Sequence, residues 1–118
     1  NIDFEGETFM PKMKYDIFGT SINFLLDNKF LKIPDYIKID VDGIEDLILE
    51  GGNKYLSNKK IKSIIIEVNE NYKSQFENII KMMKSYNFKL AEKRQRDEIL
   101  KSDLKDKFSN TFNYIFKR

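Results

Sequence analysis

Residues 36–46 of the chain read YIKIDVDGIED. The first six of them, residues 36–41, are rich in β-branched residues and predict a strand, after which the chain turns into an apolar-periodic helix. Lys38 and Asp40 are the only charges in that strand, and side chains two apart share one of its faces. Buried charges are costly unless they are paired. Because open α/β sheets bind ligands beyond the carboxyl ends of their parallel strands, Asp40 marks a candidate active-site edge.

The segments around residues 36–41 alternate between helix and strand patterns. Residues 61–68 read IKSIIIEV, and three consecutive isoleucines are typical of a strand that is covered on both faces. Residues 88–93 and 111–117 also alternate like strands. Ser21 stands before an apolar-periodic segment and predicts the first helix as its N-cap.

Two further helices are predicted by capping boxes, in which an N-cap side chain is followed three residues later by Glu or Gln. One box pairs Asp42 with Glu45, and the other pairs Ser74 with Glu77. Strands that alternate with helices favour right-handed crossovers and a parallel sheet. The connection before the last strand lacks a helix long enough for a crossover. We therefore expect an α/β fold of parallel strands that ends in an antiparallel hairpin.

The composition excludes several classes of function. The chain has 118 residues, enough for one domain, with 21 basic and 19 acidic residues and a net charge of +2. This balance predicts no nucleic-acid partner and no membrane partner. The sequence has no Cys and no His, which excludes disulfides, thiolate sites and imidazole chemistry. Its apolar runs are far shorter than a membrane span and no signal peptide opens it, so we expect a cytoplasmic protein.

Four stretches together resemble one family. Residues 37–45, IKIDVDGIE, are similar to the IKIDVEGAE signature of the FkbM family of S-adenosylmethionine-dependent methyltransferases. Residues 20–25 (TSINFL), 49–52 (LEGG) and 65–69 (IIEVN) resemble further elements of that family at comparable spacing. Each piece alone is weakly specific, and the combination is more specific than any of them.

Three positions depart from the family pattern. Asp42 stands where the family usually has Glu, which keeps the charge and shortens its reach. Ile44 stands where it has Ala, and Asn23 where it has Asp. The last change removes a charge and puts any role of that position in doubt.

The resemblance implies the carboxyl-terminal half of a class I, Rossmann-like methyltransferase sheet, with parallel strands and an antiparallel terminal hairpin. It also implies S-adenosylmethionine as cofactor and O-methylation of a hydroxyl on a sugar, glycan or natural product. Such enzymes bind the cofactor through a Gly-rich turn, but the five glycines offer no G-x-G-x-x-G. We therefore expect residues 1–118 to be a single-domain fragment that lacks the N-terminal cofactor-binding strands and is inactive alone.

Two residues of the strand are the candidate catalytic groups. Asp40 would face substrate or cofactor at the strand's carboxyl end, or would instead be a structural acid that is paired with Lys38 or bonded to the next helix. Lys38 could act as a base if desolvation lowered its pKa, or could serve as the ion-pair partner.

Four further polar residues are candidates for binding substrate or cofactor. Asp42 and Glu45 have a sufficient explanation as a capping box and could also touch ligand. Glu67 interrupts an apolar strand, and Asn69 ends it on the same face. With Asp40 these two offer the all-oxygen ligands of an Mg²⁺ or Ca²⁺ site, as in the related catechol-type O-methyltransferases, and a helix-capping role is the alternative.

The expected methyltransferase fragment implies two kinds of partner, an acceptor molecule and a second polypeptide segment. A small molecule or glycan would be the acceptor, and the chain would either associate with itself or pair with the missing N-terminal half. The charged residues 94–107 are a solvated loop or part of an acceptor pocket. The competing interpretation of the whole chain is a non-catalytic α/β interaction module, whose exposed sheet edge would need a cover.

Overall fold

The computed structural model describes residues 8, 10–41, 43–95 and 110–118. The described residues form a mixed α/β fold with three helices and four strands. In chain order the elements are α1 (Ile22–Asp27), β1 (Tyr36–Ile39), α2 (Glu45–Glu50), β2 (Ser63–Asn69), α3 (Lys73–Ser85), β3 (Lys89–Arg94) and β4 (Thr111–Lys117).

The four strands form one sheet in the order β1-β2-β4-β3. β1 pairs parallel with β2, and β4 pairs antiparallel with both β2 and β3. The predicted antiparallel hairpin of the last two strands is confirmed. Its closing strand, β4, lies inside the sheet, and β1 lies at the edge of the described sheet rather than at its centre.

One side of the sheet, the closed face, carries the core. It consists of Ile64, Ile66 and Val68 of β2 with Tyr114 and Phe116 of β4, all of which are buried. α2 and α3 pack on this face through Leu49, Ile79 and Met83. The rings of Phe76 and Tyr114 pack edge-on, with their centroids 5.7 Å apart. The alternation predicted for the last strand therefore places its aromatic side chains in the core.

The opposite side, the open face, is formed by Lys38, Ile65, Glu67, Asn113 and Ile115. Ile65 is half-buried, whereas its neighbours Ile64 and Ile66 are fully buried. The three consecutive isoleucines therefore do not mark a strand that is covered equally on both faces.

Of the three helix N-termini predicted from the sequence, only that of α1 has the predicted N-cap residue. Ser21 caps α1 as predicted, and its Oγ accepts a hydrogen bond from the Phe24 amide at 3.1 Å. The N-cap of α2, which begins at Glu45, is Ile44, and the N-cap of α3, which begins at Lys73, is Tyr72. The side chain of neither N-cap makes a capping hydrogen bond. Both predicted capping boxes are therefore wrong.

α1 is held against the turn that follows α2. The Asn23 amide donates to the Gly51 carbonyl at 2.8 Å, and Tyr55 donates its hydroxyl hydrogen to Asp27 at 2.5 Å. A Cβ atom on Gly52 would lie 2.9 Å from Leu56 Cδ1, so any larger residue would have to displace the buried Leu56 side chain. None of the helices within the described ranges is long and apolar enough to cross a membrane.

Candidate active site

The candidate site lies at the carboxyl end of the parallel pair. The register of the parallel pair places Ile39 of β1 opposite Ile66 of β2, so Asp40 and Glu67 are the next residue on each strand. Across the sheet, Glu67 lies opposite Asn113, and Asn113 lies opposite Arg94 of β3. A row of polar residues therefore crosses the open face at one level.

Asp40 and Lys38 form the ion pair that their spacing predicts. Lys38 Nζ lies 2.5 Å from Asp40 Oδ2, and the Lys38 and Asp40 side chains are 58% and 27% exposed. The charges are tolerated because the pair is on the open face at the sheet edge, where water reaches it. They are not buried in a central strand, so their presence alone does not demand a functional explanation.

Glu45 holds the loop between β1 and α2. Its side chain is buried, and Oε1 accepts a hydrogen bond from the Gly43 amide at 3.4 Å. Burial raises the pKa of Glu45 above its ordinary value, although hydrogen bonds from its own amide and those of Gly43 and Val41 act in the opposite direction. The sequence assigned Glu45 to a capping box, whereas the structure makes it an anchor of the candidate active-site loop.

The same loop is anchored from α3. Gln75 Nε2 donates to the Gly43 carbonyl at 2.6 Å. Gly43 has φ of 101°, a conformation that L side chains rarely adopt, so a glycine is needed at this turn. Sequence reasoning missed the role of Gln75, because its only signal was a polar residue in the first turn of an amphipathic helix.

The remaining predicted site residues differ in their surroundings and in whether the structure describes them. Asn69 Oδ1 accepts a hydrogen bond from the Asn71 amide at 3.0 Å, so it holds the turn after β2 and does not take the helix-capping role that was the alternative. Glu67 is half-buried on the open face. Asp42 lies outside the described residues. In the described part of the chain, no three His, Cys, Asp or Glu side chains group in a way that could hold a metal ion, and the set of Asp40, Glu67 and Asn69 stays a prediction.

A second polar cluster, which the sequence did not reveal, lies just past the end of β2. The Glu70 carboxylate accepts hydrogen bonds from the Tyr114 hydroxyl and from Lys93 Nζ, which itself lies 3.7 Å from the centroid of the Phe112 ring. Burial alone would raise the pKa of Glu70, but the bonds from Lys93 and Tyr114 hold this pKa below its ordinary value. Burial and the neighbouring Glu70 raise the pKa of Tyr114. The cluster ties the turn after β2 to the β3–β4 hairpin.

The glycines test whether the described residues suit a nucleotide-like cofactor. Gly51 and Gly52 are engaged in packing against Ser21, Ile22 and Leu56. Gly43 alone among the described glycines lies in a loop that follows the carboxyl end of a strand. The described residues therefore do not form a Gly-rich cradle for S-adenosylmethionine.

Residues 19–90 match the family model described as the methyltransferase FkbM domain. The match runs from the residues before α1 into β3 and includes every site residue that the sequence predicted, but not Arg94 or Asn113. No curated protein and no solved structure matches the chain.

Proposed function

Because the chain belongs to the FkbM methyltransferase family, to which more than half of it matches, we propose that it forms the carboxyl-terminal part of an S-adenosylmethionine-dependent O-methyltransferase. The proposed acceptor is a hydroxyl of a sugar, glycan or natural product. The observation that carries the proposal is Asp40, which follows the parallel strand β1 inside the matched region, beside a loop held by Glu45 and Gln75.

The sheet supports this assignment. In a class I methyltransferase sheet, β1 would be the fourth strand and β2 the fifth, and the antiparallel pair β4 and β3 would form the end of the sheet. Strands upstream of the fourth would carry the Gly-rich turn for the cofactor. Since no described glycine forms such a turn, we propose that this chain binds S-adenosylmethionine only together with those strands.

The chemistry of the proposed reaction assigns a role to the charged pair. In O-methylation the acceptor oxygen attacks the methyl carbon, the carbon–sulfur bond breaks, and the hydroxyl proton must leave. S-adenosylmethionine, when bound, would supply the methyl group as a sulfonium. Asp40 would accept the hydroxyl proton or orient the hydroxyl by a hydrogen bond. Lys38 already donates to Asp40, so it would orient that carboxylate rather than act as the base.

The other polar residues divide into positioning and contact roles. Glu45 would position the loop after β1 and would not touch the reacting atoms, because its carboxylate is buried against backbone amides. Glu67 and Asn113 lie opposite each other on the open face and would contact the acceptor. Asp42 is proposed as a further contact residue from the family signature alone. An Mg²⁺ ion on Asp40, Glu67 and Asn69 is the less favoured arrangement, because the Asn69 oxygen already accepts the Asn71 amide.

Calorimetric titration with S-adenosylhomocysteine tests cofactor binding. The titration would use this chain and a version extended upstream by the residues that precede it in its gene. Binding that is gained only with the extension supports the proposal. Binding by neither form contradicts it and favours a non-catalytic interaction module.

A methyl-transfer assay on the extended chain tests the role of Asp40. Incorporation of a labelled methyl group would be followed over a panel of sugars and glycans. Asp40→Asn should abolish incorporation while the affinity for S-adenosylhomocysteine stays unchanged. Glu77→Gln, on the exposed side of α3, is the matched control that removes one carboxylate outside the site.

A further inference from the structure

The N-terminal arm, residues 10–18, leaves its apolar side chains in water. No backbone hydrogen bond joins the arm to any other residue that the structure describes. Five of its side chains are between 76% and 94% exposed, namely Met10, Met13, Tyr15, Ile17 and Phe18. Three of them, Met13, Tyr15 and Ile17, alternate with charged residues, which is the period of a strand with one apolar side. The arm therefore has the pattern of a strand and pairs with none of the strands that the structure describes.

The described part of the sheet, in turn, has an edge at which no further described strand pairs. Within the described ranges, β1 pairs on one side only, with β2. A strand edge presents a row of unpaired N–H and C=O groups, which is a template for pairing with another segment. Along β1 the side chains of Ile37 and Ile39 lie on the closed face, and those of Tyr36 and Lys38 lie on the open face.

The arm and β1 are complementary in one antiparallel register. Placing Ile17 opposite Ile37 aligns apolar with apolar, aromatic with aromatic and each charge with its opposite. The resulting pairs are Met13–Val41, Lys14–Asp40, Tyr15–Ile39, Asp16–Lys38, Ile17–Ile37 and Phe18–Tyr36. Opposite charges that face each other across strands stabilise a sheet, and like charges destabilise it.

The charges select this register over its neighbours. A slip by two residues in one direction puts Lys14 opposite Lys38, and a slip in the other direction puts Asp16 opposite Asp40. A parallel alignment that matches the same charged positions puts like charges together at both. A slip by one residue would move the apolar side of the arm to the open face.

We propose that the arm of one copy of the chain adds as an antiparallel strand to β1 of a second copy, and that the exchange is reciprocal. Such a two-fold contact uses the same surfaces on both copies and closes into a dimer. Tyr15 and Ile17 then cover the closed-face side of the edge. Lys14 and Asp16 extend the Lys38–Asp40 ion pair into a cluster of four alternating charges on the open face.

The dimer does not depend on the proposed methyltransferase function. The edge of β1 is also the place where a class I sheet would continue, so an upstream strand and the arm of a second copy compete for it. The chain alone is expected to be a dimer, and the upstream-extended chain a monomer. Failure of dimerisation leaves cofactor binding by the extended chain untouched, so the two proposals fail separately.

Charge reversal tests the register. The arm variant Lys14→Asp with Asp16→Lys should weaken the dimer about tenfold or more in sedimentation equilibrium, because the two favourable cross-strand pairs at each of the two reciprocal contacts become like-charge pairs. Adding Lys38→Asp with Asp40→Lys restores all four pairings and should restore the dimer. Lys81→Asp, on the exposed side of α3, is the control and should leave association unchanged. A monomeric unaltered chain, or an arm variant that dimerises as well as the unaltered chain, would overturn the proposal.

Disulfide trapping separates exchange between copies from folding of the arm onto its own chain. The sequence has no Cys, and both Phe18 and Tyr36 are exposed, at 85% and 69%. An oxidised mixture of Phe18→Cys chains with Tyr36→Cys chains should yield a covalent dimer of the two. A mixture of Phe18→Cys with Ser57→Cys, an exposed position away from the edge, is the control. Equal cross-linking in both mixtures, or none in either, would contradict the exchange.

Discussion

The two faces of the sheet are built from the same strands and differ in what they tolerate. On the closed face, Ile64 and Ile66 are fully excluded from water and pack against α2 and α3. On the open face, Ile65 stands between them and is only half-buried, and the charged pair of Lys38 and Asp40 is near it. The closed face specifies the fold, whereas the open face leaves positions at which polar chemistry costs little stability.

The largest expected effect is a cavity in the closed face. Ile66→Ala should lower the free energy of unfolding by about 2–5 kcal/mol, because Ile66 is fully buried and its truncation leaves a cavity in the core. Ile65→Ala removes the same atoms from a half-buried site and should cost about 1 kcal/mol. Urea unfolding of both variants measures the difference. Equal losses would show that the two faces are covered alike.

The next effect breaks the polar cluster at the end of β2. Tyr114→Phe should lower the free energy of unfolding by about 1–3 kcal/mol, because it removes a buried hydroxyl that donates to the charged Glu70. Tyr86→Phe is the matched control: the Tyr86 hydroxyl donates to the neutral Leu49 carbonyl across 3.4 Å, so its loss should be under about 1 kcal/mol.

The cluster also predicts a dependence on pH. The pKa of Glu70 is held low in the folded chain, so the stability that this carboxylate contributes is present above its unfolded pKa and is lost as pH falls through the folded pKa. The cost of Tyr114→Phe should therefore shrink in acid, as measured by urea unfolding from pH 7 down to about pH 3, below the ordinary glutamate pKa of about 4.3. A cost that stays constant over this range would contradict the contact.

Part of this fold could be predicted from the sequence, and part depends on contacts between distant residues. Residues 111–117 were predicted as a strand with the bounds that the structure has, because an aromatic residue stands at every second position, at Phe112, Tyr114 and Phe116. The hairpin followed from the missing crossover helix. The insertion of β4 between β2 and β3 did not follow, because chain order does not state which edge of a hairpin joins the sheet.

The candidate site was predictable at Asp40 and less so around it. The ion pair with Lys38 followed from the period of a strand. Glu45 was identified as a polar residue of interest and given the wrong partner. A capping box pairs it with the residue three positions upstream, whereas its carboxylate accepts the Gly43 amide two positions upstream. Gln75 and Glu70 act through contacts with residues 32 and 44 positions away, and such pairings depend on the tertiary fold.

A smaller effect, opposite in sign to that of Glu70, is expected at Glu45. Burial raises the pKa of Glu45 in the folded chain, so the folded state holds this proton more tightly than the unfolded chain does. Its contribution to stability is complete below the unfolded pKa and declines as pH rises toward the folded pKa. Glu45→Gln keeps an oxygen that can accept the Gly43 amide and removes the titration. The loss of stability between about pH 4 and pH 7 should therefore be smaller in the variant than in the unaltered chain.

Urea unfolding across that range measures the difference, and Glu77→Gln controls for the loss of one surface carboxylate. A variant whose stability follows the same pH profile as the unaltered chain would show that the Glu45 carboxylate is not desolvated.

The smallest effect concerns the charged pair on the open face. Exposed ion pairs contribute about 0–1 kcal/mol, since water solvates both charges when they are apart. The Lys38 side chain is 58% exposed, so a double-mutant cycle of Lys38→Met and Asp40→Asn should give a coupling energy below about 1 kcal/mol. A coupling of several kcal/mol would mean that the pair is desolvated and that the open face is covered after all. With the small value, loss of this ion pair by itself would cost too little stability to explain a loss of methyl transfer in Asp40→Asn by unfolding.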